Sequence, residues 1–174
     1  LVARTDALGD LVLSLPMLRA LRVRFPDAQI DLLVRPYAQP VAQASQDVDH
    51  VLVWTNEKTK SKQDQGSGWL KRADYDAVVL AYPDAEVVTA CAEAGIPMRL
   101  GTGRRWHTFR RMTHPNWDGR KDSGEHESWH GLRLLMPLGI DAPNTRFQDT
   151  LLEPPASDDA VEQALSSTDR APVL

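Results

Sequence analysis

A single cysteine, Cys91, stands among the 174 residues, so no internal disulfide can form and the fold must rest on a packed core. Such sparse cysteine usage suits a reducing compartment. No apolar run approaches the roughly 20 residues that a membrane-spanning helix needs. No G-x-G-x-x-G pattern occurs anywhere in the chain, which removes the usual glycine signature of a dinucleotide site. No internal repeat is evident, which sets aside a solenoid. The residues that are present are those of a globular domain: 42% are hydrophobic and 25% charged, too apolar for a disordered chain.

The net charge is −4, but it is unevenly placed. Between Arg99 and Lys121 seven basic residues face one acid, Asp118, a local balance of +6. Between Asp141 and Arg170 seven acids face two arginines, a balance of −5. A basic segment on an acidic protein points to a local anionic ligand. It does not point to nucleic acid, whose binders are usually basic as whole domains.

Strands and helices alternate. Leu1-Val2-Ala3 reads as the end of a buried strand. Leu8, Leu11, Val12, Leu15, Leu18, Leu21 and Phe25 then recur near every 3.6 residues and predict an amphipathic helix, with Arg19, Arg22 and Arg24 on its other face. Pro16 is expected either to kink this helix or to open a new one capped at Ser14. Strands are predicted at 30–34, 51–54, 77–81 and 98–100, and helices at 41–44, 85–93, about 125–138 and about 157–166. The lysine-bearing segment 56–68 reads as a solvated loop, with a substrate lid as the alternative. No period is visible in 102–123. Leu1 lies inside an apolar run and 171–174 reads as the start of a strand, so both ends are expected to be cut.

This alternation implies an α/β fold with a parallel sheet. Ligands of such sheets sit at the carboxyl ends of the strands, so the loops after Arg4, Val34, Ala81 and Leu100 should share one edge. Gly9 offers a tight turn and close backbone approach to a ligand. Asp10 is placed near a helix N-terminus, where the dipole favours a negative charge, and it has two readings: a helix cap, or a functional carboxylate.

Read together, Arg4-Thr5-Asp6-Ala7-Leu8-Gly9-Asp10-Leu11-Val12-Leu13-Ser14-Leu15-Pro16, then Leu18-Arg19-Ala20-Leu21-Arg22 and Phe25-Pro26-Asp27-Ala28, resemble the opening of glycosyltransferase family 9. That family contains the ADP-heptose:lipopolysaccharide heptosyltransferases. Later segments are similar in order: Tyr75-Asp76-Ala77-Val78-Val79-Leu80, then Ala94-Gly95-Ile96-Pro97 with Arg99-Leu100-Gly101, then His126-Glu127 with Leu132, Leu134, Leu135, Leu138 and Gly139.

The resemblance implies a Rossmann-like parallel sheet flanked by helices, the N-terminal lobe of a GT-B fold. Residues 1–152 would form the acceptor-binding lobe, and 153–174 a linker, a helix and the start of a donor-binding lobe. It implies inverting, metal-independent and cofactor-free transfer of heptose from ADP-heptose, or of another sugar from its nucleotide. The acceptor would be a lipopolysaccharide core or lipid A-type molecule, met in the cytoplasm at the inner face of the inner membrane. The family's catalytic carboxylate falls on Asp10. Substrate-binding roles fall on Thr5, Gly9, Arg104, Arg105, Arg110, Arg111 and His126. Trp106 and Trp117 would stack on sugar faces or pin the loop to the core. Thr5-Asp6-Ala7 departs from the pattern of well-known members, which leaves the particular sugar and acceptor open.

Two other readings stand beside this one. The arginine segment fits a non-catalytic module for an anionic glycan or nucleotide-sugar. His126-Glu127-Ser128-Trp129-His130 is a literal H-E-x-x-H, the spacing of a helical zinc site with a glutamate base. Glu153 precedes two prolines and makes a poor third ligand, so these histidines are expected to hold no metal.

Overall fold

The computed structural model describes residues 1–55, 67–117 and 127–140. Six strands, β1 (Val2–Arg4), β2 (Asp31–Val34), β3 (His50–Val53), β4 (Ala77–Leu80), β5 (Met98–Thr102) and β6 (His114–Asn116), form one sheet. Its order is β3-β2-β1-β4-β5-β6, and every neighbouring pair is parallel. The chain therefore lays strands outward to one side of β1 and then returns to its other side with β4. That reversal opens a crevice between the carboxyl ends of β1 and β4, the place where open parallel sheets bind ligands.

Both faces of the sheet are covered, and the strands alternate between them. Val2, Leu32, Val34, Val79 and Leu100 join a core with Leu11, Leu15, Leu18 and Leu21 of helix α1 (Leu8–Arg24) and Leu132 of α6 (Glu127–Arg133). Ala3, Leu33, Val78 and Leu80 face the other way, onto Leu70 of α3 (Ser67–Ala73) and Val87, Val88 and Cys91 of α4 (Ala85–Glu93). Period-2 side chains on a sheet buried on both sides give the near-continuous apolar strands seen in the sequence. Cys91 is fully buried, and that burial pushes its thiol up to about 12.

Helix α1 runs without interruption from Leu8 to Arg24, straight through Pro16. The restart at Ser14 does not occur. Leu11 and Leu15 before the proline, and Leu18 and Leu21 near and beyond it, lie on one buried stripe, and that packing holds the helix together across the missing N–H. Ser14 turns its hydroxyl back to the Asp10 carbonyl at 2.8 Å instead of capping a new helix. Each of these leucines contributes about 1.5–3 kcal/mol by leaving water.

The expected strands and the helix at 85–93 are found, with shifts of one or two residues at several ends. A 3-10 turn, Pro36–Ala38, leads into a short α2, Gln39–Gln43, slightly earlier than predicted. Three elements were not predicted: α3, the four-residue α5 (Trp106–Phe109), and β6. Of the helix predicted at about 125–138, the described part ends at Arg133 and is followed by a 3-10 turn, Met136–Leu138, that Gly139 closes at φ 73°. The loop expected from 56, apart from its last two residues, and the helix and strand expected after 153 lie outside the described residues. Among the described residues no helix is long and apolar enough to cross a membrane.

Candidate active site

Arg4 ends β1 and carries a charge into the interior, with only 5% of its surface exposed. A buried guanidinium must be paired. Its NH1 donates to the Ala81 carbonyl, just beyond β4, at 2.9 Å. Its Nε stands 2.9 Å from Asp6 Oδ1 and its NH2 3.2 Å from Asp10 Oδ1. One arginine thus links the two strands that flank the crevice to Asp6 of the loop after β1 and to Asp10 in the first turn of α1.

Asp10 lies in the first turn of α1, where the dipole favours an anion. It does not cap the helix. The N-cap position is Ala7, which is extended and has no side-chain cap bond, so the pure-cap reading of Asp10 is excluded. With its side chain 37% exposed, the Asp10 carboxylate reaches solvent in the crevice. Gly9 is helical, without a positive φ, so the tight turn expected there is not formed. A Cβ at Gly9 would meet nothing within 4 Å, so the backbone there is open to a ligand.

Thr5 is buried and braces the loop from behind. Its hydroxyl donates to Asp84 Oδ2 at 3.4 Å, and its carbonyl accepts from Arg35 Nε at 3.2 Å. Asp84 also caps α4, accepting from the N–H groups of Glu86 and Val87 at 3.0 and 3.3 Å. Tyr37 donates its hydroxyl to the Asp6 carbonyl. The loops after β1, β2 and β4 are therefore tied to one another, as the shared-edge expectation requires.

The crevice itself has a volume of about 420 Å³. Asp6 and Asp10 line one side, and Arg104, Arg105 and Asn116 come from the β5–β6 side. His130 and Arg133 of α6 complete the wall. Asp10 and the arginine loop do face a common cleft, but only through the first arginine pair. Arg110 and Arg111 do not line it: Arg110 lies over the Trp106 ring at 5.9 Å, and the Arg111 carbonyl accepts from Arg99 Nε at 2.6 Å. Trp117 serves as a pin. It packs on Phe109 at 5.2 Å between ring centroids, and its indole leaves no room at Gly103, where a Cβ would sit 3.0 Å from it. Trp106 is 79% exposed, with Arg110 over its ring.

His126 lies outside the described residues. The other histidine of the H-E-x-x-H run, His130, is buried in the cleft wall. Asn116 and Arg133 carry no binding signal in the sequence, and His130 stands out there only through the metal-site spacing, not as a wall of this cleft. Asn116 is hidden with its strand, Arg133 lies one turn beyond the H-E-x-x-H run, and His130 closes that run, where the spacing points to a metal instead. Among the described residues no three metal-ligating side chains gather.

No protein-family model and no curated protein sequence matches the chain. Solved structures do. A glycosyltransferase family 9 protein from Veillonella parvula superposes with a TM-score of 0.75 at 20% identity, over 97% of this chain and 49% of that one. E. coli ADP-heptose lipopolysaccharide heptosyltransferase II gives 0.64 at 17% identity, over 98% and 51%. E. coli heptosyltransferase WaaC, solved with ADP-2-deoxy-2-fluoro heptose, gives 0.64 at 16%, over 83% and 50%. The chain spans about half the length of each. Its fold is the Rossmann-like α/β fold of one half of these glycosyltransferases, as the resemblance of its opening residues implied.

Proposed function

We propose that this chain is the acceptor-binding lobe of an inverting, metal-independent glycosyltransferase of family 9. The observation that carries the reading is the position of Asp10: a carboxylate on the first turn after β1, open to a cleft at the sheet's reversal point and opposed by Arg104 and Arg105. Inverting transfer needs a base beside an acceptor hydroxyl. As that oxygen bonds to the anomeric carbon, its proton passes to Asp10. The bond from the anomeric carbon to the nucleotide oxygen breaks, and the nucleotide leaves with the electron pair.

The arginines suit an acceptor bearing carboxylate or phosphate, since the guanidinium fork pairs with either in two parallel hydrogen bonds. A lipopolysaccharide core has both groups. ADP-heptose is the donor that the solved neighbours favour, one of which was solved with ADP and with a fluorinated ADP-heptose. The acceptor would be met at the inner membrane, on its cytoplasmic face.

Calorimetry on this chain separates the two substrates. A phosphorylated core oligosaccharide should bind, whereas ADP-heptose should bind weakly, because the donor site is assigned to a second lobe. Micromolar ADP-heptose binding would instead move the donor site into this half. Binding of the oligosaccharide by a full-length protein that transfers no sugar from any nucleotide donor would favour the non-catalytic module.

A further inference from the structure

We propose that Arg4 is a positioning residue that aims the Asp10 carboxylate into the cleft; this rests on the transferase reading given above. The guanidinium is almost wholly buried and fixed from behind by the Ala81 carbonyl, so its orientation is set by the sheet and not by solvent. Neutralising the buried charge requires only one acid, and Asp6 already supplies it at 2.9 Å. Asp10 is the more exposed of the two acids and is served by the helix dipole, so it needs no partner to remain in the loop. Its contact with Arg4 at 3.2 Å is therefore an additional constraint.

That contact engages Oδ1 and not Oδ2. The geometry leaves one carboxylate oxygen to be held and the other to take a proton. A flexible carboxylate on the first turn of a helix samples several rotamers. A fork anchored on β4 reduces these to the one that faces the crevice. Lysine cannot reproduce this, because a single ammonium on a flexible stem cannot reach the Ala81 carbonyl, Asp6 and Asp10 in the same directions.

The test uses the full-length protein with ADP-heptose and a phosphorylated core oligosaccharide. Arg4→Lys keeps a buried cation and should keep the fold. Its kcat should fall about a hundredfold, the cost of a catalytic group misplaced by about 1 Å. KM should change little. Arg4→Ala should lose at least as much and recover about tenfold or more when millimolar guanidinium refills the vacated site, while Asp10→Asn should show no recovery. If Arg4→Ala does not fold, the Arg4→Lys kinetics decide alone. Wild-type kcat in Arg4→Lys, with Asp10→Asn silent, would overturn the role of Arg4 and leave the role of Asp10 intact. Full activity in Asp10→Asn would remove both.

Discussion

Arg35 and Asp84, 49 residues apart in sequence, form a 2.7 Å ion pair that joins the loop after β2 to the start of α4. The same Asp84 carboxylate caps α4 and accepts from Thr5, so one side chain fixes three of the loops on the cleft edge. The position of Asp10 depends on this bracket, since Thr5 is its near neighbour on the same loop.

Asp84→Ala should therefore cost about 2–3 kcal/mol, adding a lost cap to a lost charge-assisted bond. The melting temperature should fall by roughly 5–10 °C. Asp84→Asn keeps the cap and should lose less than half as much. Equal losses in the two variants, measured by thermal unfolding, would show that the cap contributes nothing and that the ion pair with Arg35 carries the whole effect.

A second network, away from the cleft, sets the response to acid. Asp31 at the start of β2 is buried, which by itself raises its carboxyl. Hydrogen bonds from Tyr75 at 2.6 Å, His50 at 2.9 Å and Gln29 at 2.8 Å outweigh that and hold it below the ordinary 3.8. Because the folded value is depressed, the stability it contributes is complete above the unfolded value and is lost as pH falls through the folded one. Urea midpoints of the wild type should fall steadily below about pH 5. Asp31→Asn should be less stable at neutral pH but show a flatter acid limb. Part of the slope will persist, because Asp49 is also held low, chiefly by the Ile30 N–H.

The arginine loop divides into two pairs with different surroundings. Arg104 and Arg105 line the cleft, whereas Arg110 and Arg111 stand outside it. Changing Arg104 and Arg105 together to Lys should weaken binding of a phosphorylated core oligosaccharide by about tenfold or more, since a good charge-assisted pair is worth roughly 1.5–3 kcal/mol. The same change at Arg110 and Arg111 should have a smaller effect, and added salt should weaken whatever contacts are exposed. A larger loss at the second pair, read by calorimetry, would place the anion site on the outer face of the loop.

Much of this architecture was legible in the sequence, for a physical reason. Helix α1 announces itself because Leu11, Leu15, Leu18 and Leu21 must share a stripe, and α4 because Gly95 stops it at φ 81°. The apolar runs of β2 and β4 are readable because both faces of the sheet are buried. Asp10 was readable from its place between strand and helix together with the surrounding motif. The rest depends on contacts that the local sequence does not encode. The edge strand β6 is three residues with Pro115 at its centre, tolerable only because an edge has no neighbour to receive a missing N–H. Helix α5 is a single turn among arginines. Arg4 reads as an ordinary strand end, and only the arrival of Ala81 beside it shows that its charge is buried and anchored.

The central claim is that Asp10 takes the acceptor proton, and one comparison tests it directly. Asn is nearly isosteric with Asp and is not needed as a cap here, so Asp10→Asn should leave the circular dichroism spectrum unchanged and the melting temperature close to that of the parent. Single-turnover transfer from ADP-heptose to a phosphorylated core oligosaccharide, measured in the full-length protein, should fall by about 10²–10⁴-fold, the usual contribution of a general base. Transfer within a fewfold of wild type by a folded Asp10→Asn protein would contradict the account and reduce Asp10 to a surface carboxylate beside Arg4.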